Sequence, residues 1–364
     1  MSFVVEFVFF CWLHLFLGRM RGKQRSDIRN GLRQNFCAWA FLDPMNSTPT
    51  SLEDLLRLAK RALVIGVGGG GDVVGALATA RILELFGLEF LLGGLSWERS
   101  VVDPIPGPRS VEEVRDVRAL HRYVWMANSR SRTNTEVFFC ESKMAALQGK
   151  EVLLVDINGG VNGVVEGLEV AVTEFKSDLL VGLDVGGDSL AQGNEPGLRS
   201  PLADSIMLAA YAELEKRGHR TLWGVFGYGS DGELTVDEIE LALSKIAAAG
   251  GLLGAWSLTS NIAAELEQVI KVVPTEASAI PVECFRGAWG EMKIRSGQRR
   301  VKMTPLTALT FFMSTTTVFQ TLSRPAQAVV GSASLEDAND ALHAIGIKTE
   351  LDLERERYHA KNNP

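Results

Sequence analysis

The chain has 364 residues, of which 46% are hydrophobic and 22% charged, the balance of a globular protein able to bury a core. Its net charge of −7 comes without a basic run in the body, which argues against nucleic-acid binding, since phosphate neutralisation needs clustered Lys and Arg. The four cysteines (Cys11, Cys37, Cys140, Cys284) lie far apart with no CxxC, so neither a disulfide framework nor a structural zinc site is expected, and a reduced, cytoplasmic compartment fits.

Residues 1–44 differ in character from the rest. Phe3–Leu17 is apolar but holds Glu6 and His14, and Arg19, Arg21, Lys23 and Arg25 follow. The run is shorter than the ~20 residues of a membrane helix. Its charge comes after the apolar stretch, whereas a secretory signal places it before. Three readings stay open: an upstream extension with Met45 as the true start, a signal anchor, or a packed accessory helix. A membrane-embedded body is not expected.

Ser51–Lys60 opens with Ser51 and Asp54 in capping-box spacing and predicts a short helix. Ala62–Val67 is an apolar strand, Gly68–Gly71 a glycine turn, Asp72–Phe86 a buried helix and Leu88–Gly94 a second strand. This is a βαβ unit, which requires a parallel pair. The rhythm resumes with strands at Glu151–Asp156, Asp178–Asp184, Thr221–Phe226 and Leu252–Trp256. Helices at Gly163–Phe175, Pro201–Lys216, Thr235–Ala249 and Thr259–Ile270 alternate with them. Strands that are apolar throughout suit a parallel sheet covered on both faces. The expected fold is α/β: a doubly wound, mostly parallel, Rossmann-like sheet. Asp103–Gly149, with three prolines and then a charged stretch, is expected as a mostly helical insertion. Glu291–Ile294 and Arg299–Lys302 predict a C-terminal hairpin around Ser296-Gly297-Gln298. The ligand-binding domain is placed at 45–325. Residues 326–364 are assigned to a helix (Leu335–Ile345) and a polar tail.

Chemistry-capable residues concentrate in the loops that follow strands and precede helices: Gly66–Asp72, Ser96–Asp103, Asp156–Asn162, Asp184–Asp204 and Gly227–Glu233. In a parallel sheet these loops share one edge, the edge where open α/β sheets bind ligands. The loops of the opposite edge are short and plain. Gly66, Gly68, Gly69, Gly70 and Gly71 satisfy G-x-G-x-x-G between a strand and a helix, a setting that lets backbone approach a phosphate at a helix N-terminus. The same glycines would also serve tight helix–strand packing alone. A P-loop is excluded because no Gly-Lys-Ser/Thr follows. For a dinucleotide the acid at the end of the second strand is poorly placed: Glu89 lies at the wrong end and Glu98 is late. Asp72 at the helix start would repel a phosphate unless a cation intervened.

Trp97, Glu98 and Arg99, then Asp103 and Arg109, offer an aromatic for stacking a base, acids, and guanidinium groups for an anion. A solvated Glu98–Arg99 pair is the plainer alternative. The long loop after Asp184 carries Asp188, Glu195 and Arg199 and runs into Asp204. Asp231 and Glu233 add two carboxylates, although Asp231-Gly232 is also ordinary turn chemistry. His14, His121, His219, His343 and His359 all fall outside these loops, so acid–base work passes to carboxylates. Oxygen ligands beside phosphate favour Mg²⁺ or Mn²⁺ over zinc.

In Gly66–Asp72, Trp97-Glu98-Arg99 with Asp103-Pro104 and Pro106–Arg109, Asp184–Asp188, Glu195–Asp204, Asp231–Leu234 and Pro274–Ser278, the chain resembles the family of domain of unknown function 1152 (DUF1152). The resemblance runs from about Ala62 to Thr310. It implies an α/β fold and carries no assigned activity.

Three functions compete. In a divalent-metal-dependent enzyme acting on a phosphorylated metabolite or nucleotide, Asp72, Asp184, Asp188 and Asp204 are the expected metal ligands. Asp184, Asp188, Asp231 and Glu233 are then the catalytic candidates. Gly66, Gly68–Gly71, Trp97, Glu98, Arg99 and Arg199 would contact the ligand. The alternatives are an NAD(P)-dependent oxidoreductase and a non-catalytic nucleotide or metabolite sensor.

Overall fold

A computed structural model describes residues 51–362. The extension read at 1–44 lies outside the described residues. Ser51 caps α1 (Leu52–Arg57), its side chain accepting from the Asp54 amide. β1 (Arg61–Gly66), α2 (Asp72–Leu85) and β2 (Glu89–Leu95) form the first βαβ unit, with Leu63 paired to Leu91 in parallel register. β5 (Val152–Val155), β6 (Leu179–Val185) and β7 (Thr221–Phe226) extend it. With β3 (Val114–His121), β4 (Val124–Thr133), β8 (Leu252–Ser257) and β11 (Leu309–Met313), the nine-stranded sheet has the order β3-β4-β5-β2-β1-β6-β7-β11-β8, and its five central strands, β5-β2-β1-β6-β7, all run parallel.

Alternation along β1 divides the core. Leu63 and Ile65 face a cluster shared with α4 (Gly160–Phe175), α5 (Pro201–Lys216) and α6 (Val236–Ala248). Ala62 and Val64 face one shared with α1, α2 and α7 (Ser260–Val272). With helices packed on both faces, no solvated sheet face requires polar alternation, which is why these strands are continuous apolar runs.

The insertion expected as mostly helical is instead a pair of antiparallel strands, β3 (Val114–His121) and β4 (Val124–Thr133), followed by α3 (Cys140–Gln148). Its charges belong to a sheet edge. Arg118 meets Glu151 at 2.9 Å and Arg132 meets Asp116 at 2.7 Å, charge placement that keeps an edge strand from pairing with another chain. At the other side β8 (Leu252–Ser257) does not join β7 directly. The short aromatic run of β11 (Leu309–Met313) enters between them, antiparallel to both.

α8 (Glu276–Phe285) precedes an antiparallel ribbon of β9 (Gly290–Ile294) and β10 (Arg299–Met303). The chain ends in α9 (Thr315–Thr321), α10 (Arg324–Ala328), α11 (Leu335–Ala344) and α12 (Glu350–Asn362). The residues after 325, read from the sequence as a helix and a polar tail, contribute Val329, Leu335, Leu342, Ile347 and Leu351 to the same core as α4 and α5. No helix among the described residues is long and apolar enough to cross a membrane.

Candidate functional site

The strand ends at the carboxyl edge surround a cleft of about 100 Å³. Its wall contains Gly68–Asp72 after β1, Glu98 and Arg99 after β2, Asp188 after β6, Asp204 in the first turn of α5, and Asp231 and Glu233 after β7. Thr275 before α8 and Arg295 and Arg299 from the β9–β10 ribbon complete the rim. Asp184 is buried at the end of β6, where its carboxylate accepts from the amides of Ser189 at 3.0 Å and Gly187 at 3.4 Å. The turn that follows passes through Gly186. A Cβ there would lie 2.3 Å from the Asp231 carboxylate, so this glycine lets Asp231 press against the end of β6.

The structure thus brings Asp72, Asp184, Asp188, Asp204, Asp231 and Glu233 together. Oxygens of Asp184, Asp188 and Asp204 lie within 4.8 Å of one another, and so do those of Asp188, Asp231 and Glu233. Burial, reinforced by like-charged neighbours, pushes Asp188, Asp204 and Asp231 well above the usual carboxylate range. Burial raises Asp184 as well, against the amides that hold it. Asp72 is pushed up to about 7 by burial and then by Asp184, with Arg99 opposing.

The partners of these acids separate them. Both oxygens of Asp204 and Oδ1 of Asp231 are buried without a hydrogen-bond partner. Glu233 is the opposite case. Its Oε2 accepts from the amides of Arg199 at 2.6 Å and Ser200 at 2.9 Å, and its Oε1 accepts from the Ser200 hydroxyl at 2.5 Å and forms an ion pair with Arg299 at 2.9 Å. This carboxylate holds the loop after β6 to the loop after β7 and to the ribbon.

The glycine loop is largely engaged internally. The Gly68 amide donates to Asp72 Oδ2 at 3.0 Å and the Gly70 amide to the Trp97 carbonyl at 3.0 Å. Trp97 itself is in the core. Fully buried, it donates its indole N–H to Glu354 at 3.0 Å and presents no ring to the cleft. Glu98 lines the cleft but accepts from the amide and thiol of Cys140. Behind it Glu141 is fully buried, its carboxyl raised by burial and by Glu98, with both oxygens unpartnered. Arg109 is buried against Asp103 at 3.0 Å and closes its own loop, so this pair is spent on structure. Arg199 is exposed outside the cleft wall.

Sequence reasoning missed Glu350 and Glu354 of α12. Glu350 accepts from the amides of Leu202 and Ala203 at 2.9 Å each, capping α5 beside Asp204, and its Oε1 lies 4.0 Å from Arg99. Their i,i+4 spacing on one helix face was the available signal.

Fold and cleft define an α/β protein whose candidate site is an acidic pocket at the carboxyl edge of a mostly parallel sheet. The chain belongs to the family described as Protein of unknown function (DUF1152), which matches residues 63–358 and so includes most of α12. No curated protein and no solved structure matches it.

Proposed function

We propose that the protein is a divalent-metal-dependent enzyme acting on a small phosphorylated metabolite or nucleotide, with a doubly wound sheet gathering its ligand loops at one edge. Asp204 carries the reading. Its two oxygens are buried without donors, next to Asp184 and Asp188. A buried carboxylate in that state must be protonated or paired with a cation. An all-carboxylate oxygen set suits Mg²⁺ or Mn²⁺, which Asp184, Asp188 and Asp204 would hold. The cation would supply charge neutralisation at a phosphoryl oxygen.

The chain's own residues then divide the remaining work. Arg99, Arg295 and Arg299 on the rim hold the anion, a task the glycine loop shares less because its Gly68 and Gly70 amides are engaged. Asp231, with its free buried oxygen, is the acid–base candidate. The nicotinamide reading is weaker, since Glu98 is tied to Cys140 and unavailable to a ribose. The buried free thiols of Cys140 and Cys284 favour a reduced, cytoplasmic setting.

The test is thermal unfolding of the full chain with and without Mg²⁺ or Mn²⁺, followed by phosphate release from phosphorylated metabolites. Metal should raise the midpoint by linkage, Asp204→Asn should remove that increment, and turnover should require the metal. A wild-type midpoint indifferent to both ions would end the metal reading. Metal-dependent binding without turnover would make the protein a sensor.

A further inference from the structure

A groove of about 1070 Å³ opens from the acidic cleft, with Arg99, Ser200, Glu233, Thr275, Arg295 and Arg299 common to both. Its wall also carries Arg199 from the loop after β6, Arg300 from the ribbon, and Arg357 from α12. Carboxylates are present too, but most are committed. Glu233 serves Arg199, Ser200 and Arg299; Glu350 caps α5; Glu354 holds Trp97 and the Gly107 amide; Glu276 accepts from the Arg295 amide. Glu283 alone of the groove's acids has no such partner among the described residues.

Two of the arginines are uncommitted to acids. The Arg199 guanidinium donates only to the Leu198 carbonyl at 2.9 Å, its backbone amide being the group that meets Glu233, and the Arg357 guanidinium donates only to the Ser100 hydroxyl at 3.1 Å. Among the described residues neither guanidinium meets a carboxylate. At the seam between cleft and groove, Nη1 of Arg99 is buried and has no hydrogen-bond partner, although a guanidinium N–H in that position calls for an acceptor. The groove wall also carries the apolar Ile280, Met292 and Ile294, which suit an uncharged part of a ligand.

We propose that the ligand is an elongated polyanion carrying at least two phosphoryl groups. One group occupies the acidic cleft and meets Arg99 at the seam. The other extends into the groove to Arg199 and Arg357. A single phosphate would fill only a small part of a groove of this size, and two guanidinium groups on its wall without acidic partners match phosphate oxygens in charge. The metal-dependent reading of the cleft is needed for the first group only.

Calorimetric titration of the full chain, with Mg²⁺ in excess over ligand, tests this with orthophosphate and tripolyphosphate as probes. Tripolyphosphate should bind at least about tenfold more tightly. The double variant R199A/R357A should remove that advantage while orthophosphate affinity changes by less than about twofold. Equal affinity for the two probes, or an advantage that survives the double variant, overturns the proposal. So does an equal loss in Arg118→Ala, an arginine at the remote sheet edge, because the attraction would then be unspecific charge. The two readings fail separately. If Mg²⁺ leaves the unfolding midpoint unchanged but the arginine-dependent advantage persists, only the metal reading falls. If Mg²⁺ stabilises and the advantage is absent, only the polyanion groove falls.

Discussion

The carboxylate of Asp72 accepts a 3.0 Å hydrogen bond from the amide of Gly68, so the first residue of α2 closes the glycine loop onto itself. The loop's glycines therefore differ in what a side chain would do. At Gly69 (φ +76°) a Cβ would meet the Trp97 carbonyl oxygen at 2.8 Å, while at Gly70 (φ +54°) the nearest atom is Arg99 Cγ at 3.5 Å. Gly69→Ala should cost about 1–3 kcal/mol in urea unfolding. Gly70→Asn should fold with a nearly unchanged midpoint, because Asn tolerates the left-handed region. Loss of ligand binding in that folded variant would then report blocked approach to the cleft. Equal destabilisation by the two changes would show that Gly70 is also a packing position.

A second prediction concerns α12. Glu350 uses both carboxylate oxygens, one on the Ala203 amide and one on the Leu202 amide, whereas Glu354 uses a single oxygen for both Trp97 and Gly107. Glutamine keeps one accepting oxygen and turns the other into a donor. Glu350→Gln should therefore be destabilising by about 1–3 kcal/mol, since an N–H₂ would face an amide N–H at the start of α5. Glu354→Gln should change the unfolding midpoint much less. The reverse ranking would mean that α12 does not cap α5 in solution.

These two acids also show where the sequence was silent. The parallel core was legible because buried strands and helices are continuous apolar runs, and strand-to-helix loops must meet at one edge. That reasoning placed Asp72, Asp184, Asp188, Asp204 and Asp231 together although they come from three different loops. The helix α12 carries little apolar signal beyond Leu351, and its buried face is made partly of the carboxylates of Glu350 and Glu354, which hydrophobic periodicity assigns to solvent. Charge misled in the insertion for a related reason: arginines and acids spaced along β3 and β4 belong to an edge strand as readily as to a solvated helix. Trp97 looked like a stacking surface, and only the position of Glu354 reveals why its indole is buried. Glu233 sits two residues from Asp231, yet its role depends on Ser200 and Arg299, which no local motif connects to it.

A third prediction follows from the buried carboxyls. Asp72 and Asp156 are raised to about 7, and Glu350 to about 6, each by burial first. The folded state thus binds these protons more tightly than the unfolded chain, whose carboxyls titrate near 4. Their contribution to stability is fully present below pH about 4 and is lost as pH rises through about 6 to 7. In chelator, the unfolding midpoint should fall between pH about 5 and about 8. Excess Mg²⁺ should recover most stability at the upper end, where the cleft acids are ionised. Asp352, held down at about 2 by His343 and Thr349 despite partial burial, acts in the opposite sense only below that window. A midpoint that stays flat or rises with pH in chelator would show that the cluster is already ionised and compensated in the folded protein.

The last prediction separates the two groups of acids that share Asp188. Glu233 is saturated by Arg199, Ser200 and Arg299, whereas Asp204 has two buried oxygens and no donor. Glu233→Gln converts one acceptor into a donor among groups that all donate, so it should lower stability by about 2–4 kcal/mol. That loss should be the same with and without Mg²⁺, leaving the metal increment intact. Asp204→Asn removes one of several crowded negative charges. In chelator it should leave stability unchanged or higher, less the few tenths of a kcal/mol that a carboxylate gains in the first turn of α5. It should also erase the Mg²⁺ increment. Unfolding curves of the two variants with Mg²⁺ and with chelator decide between the sites. If Glu233→Gln abolishes the increment without loss of stability while Asp204→Asn keeps it, the cation belongs to Asp188, Asp231 and Glu233. Arg299 would then have to release Glu233 whenever the metal binds.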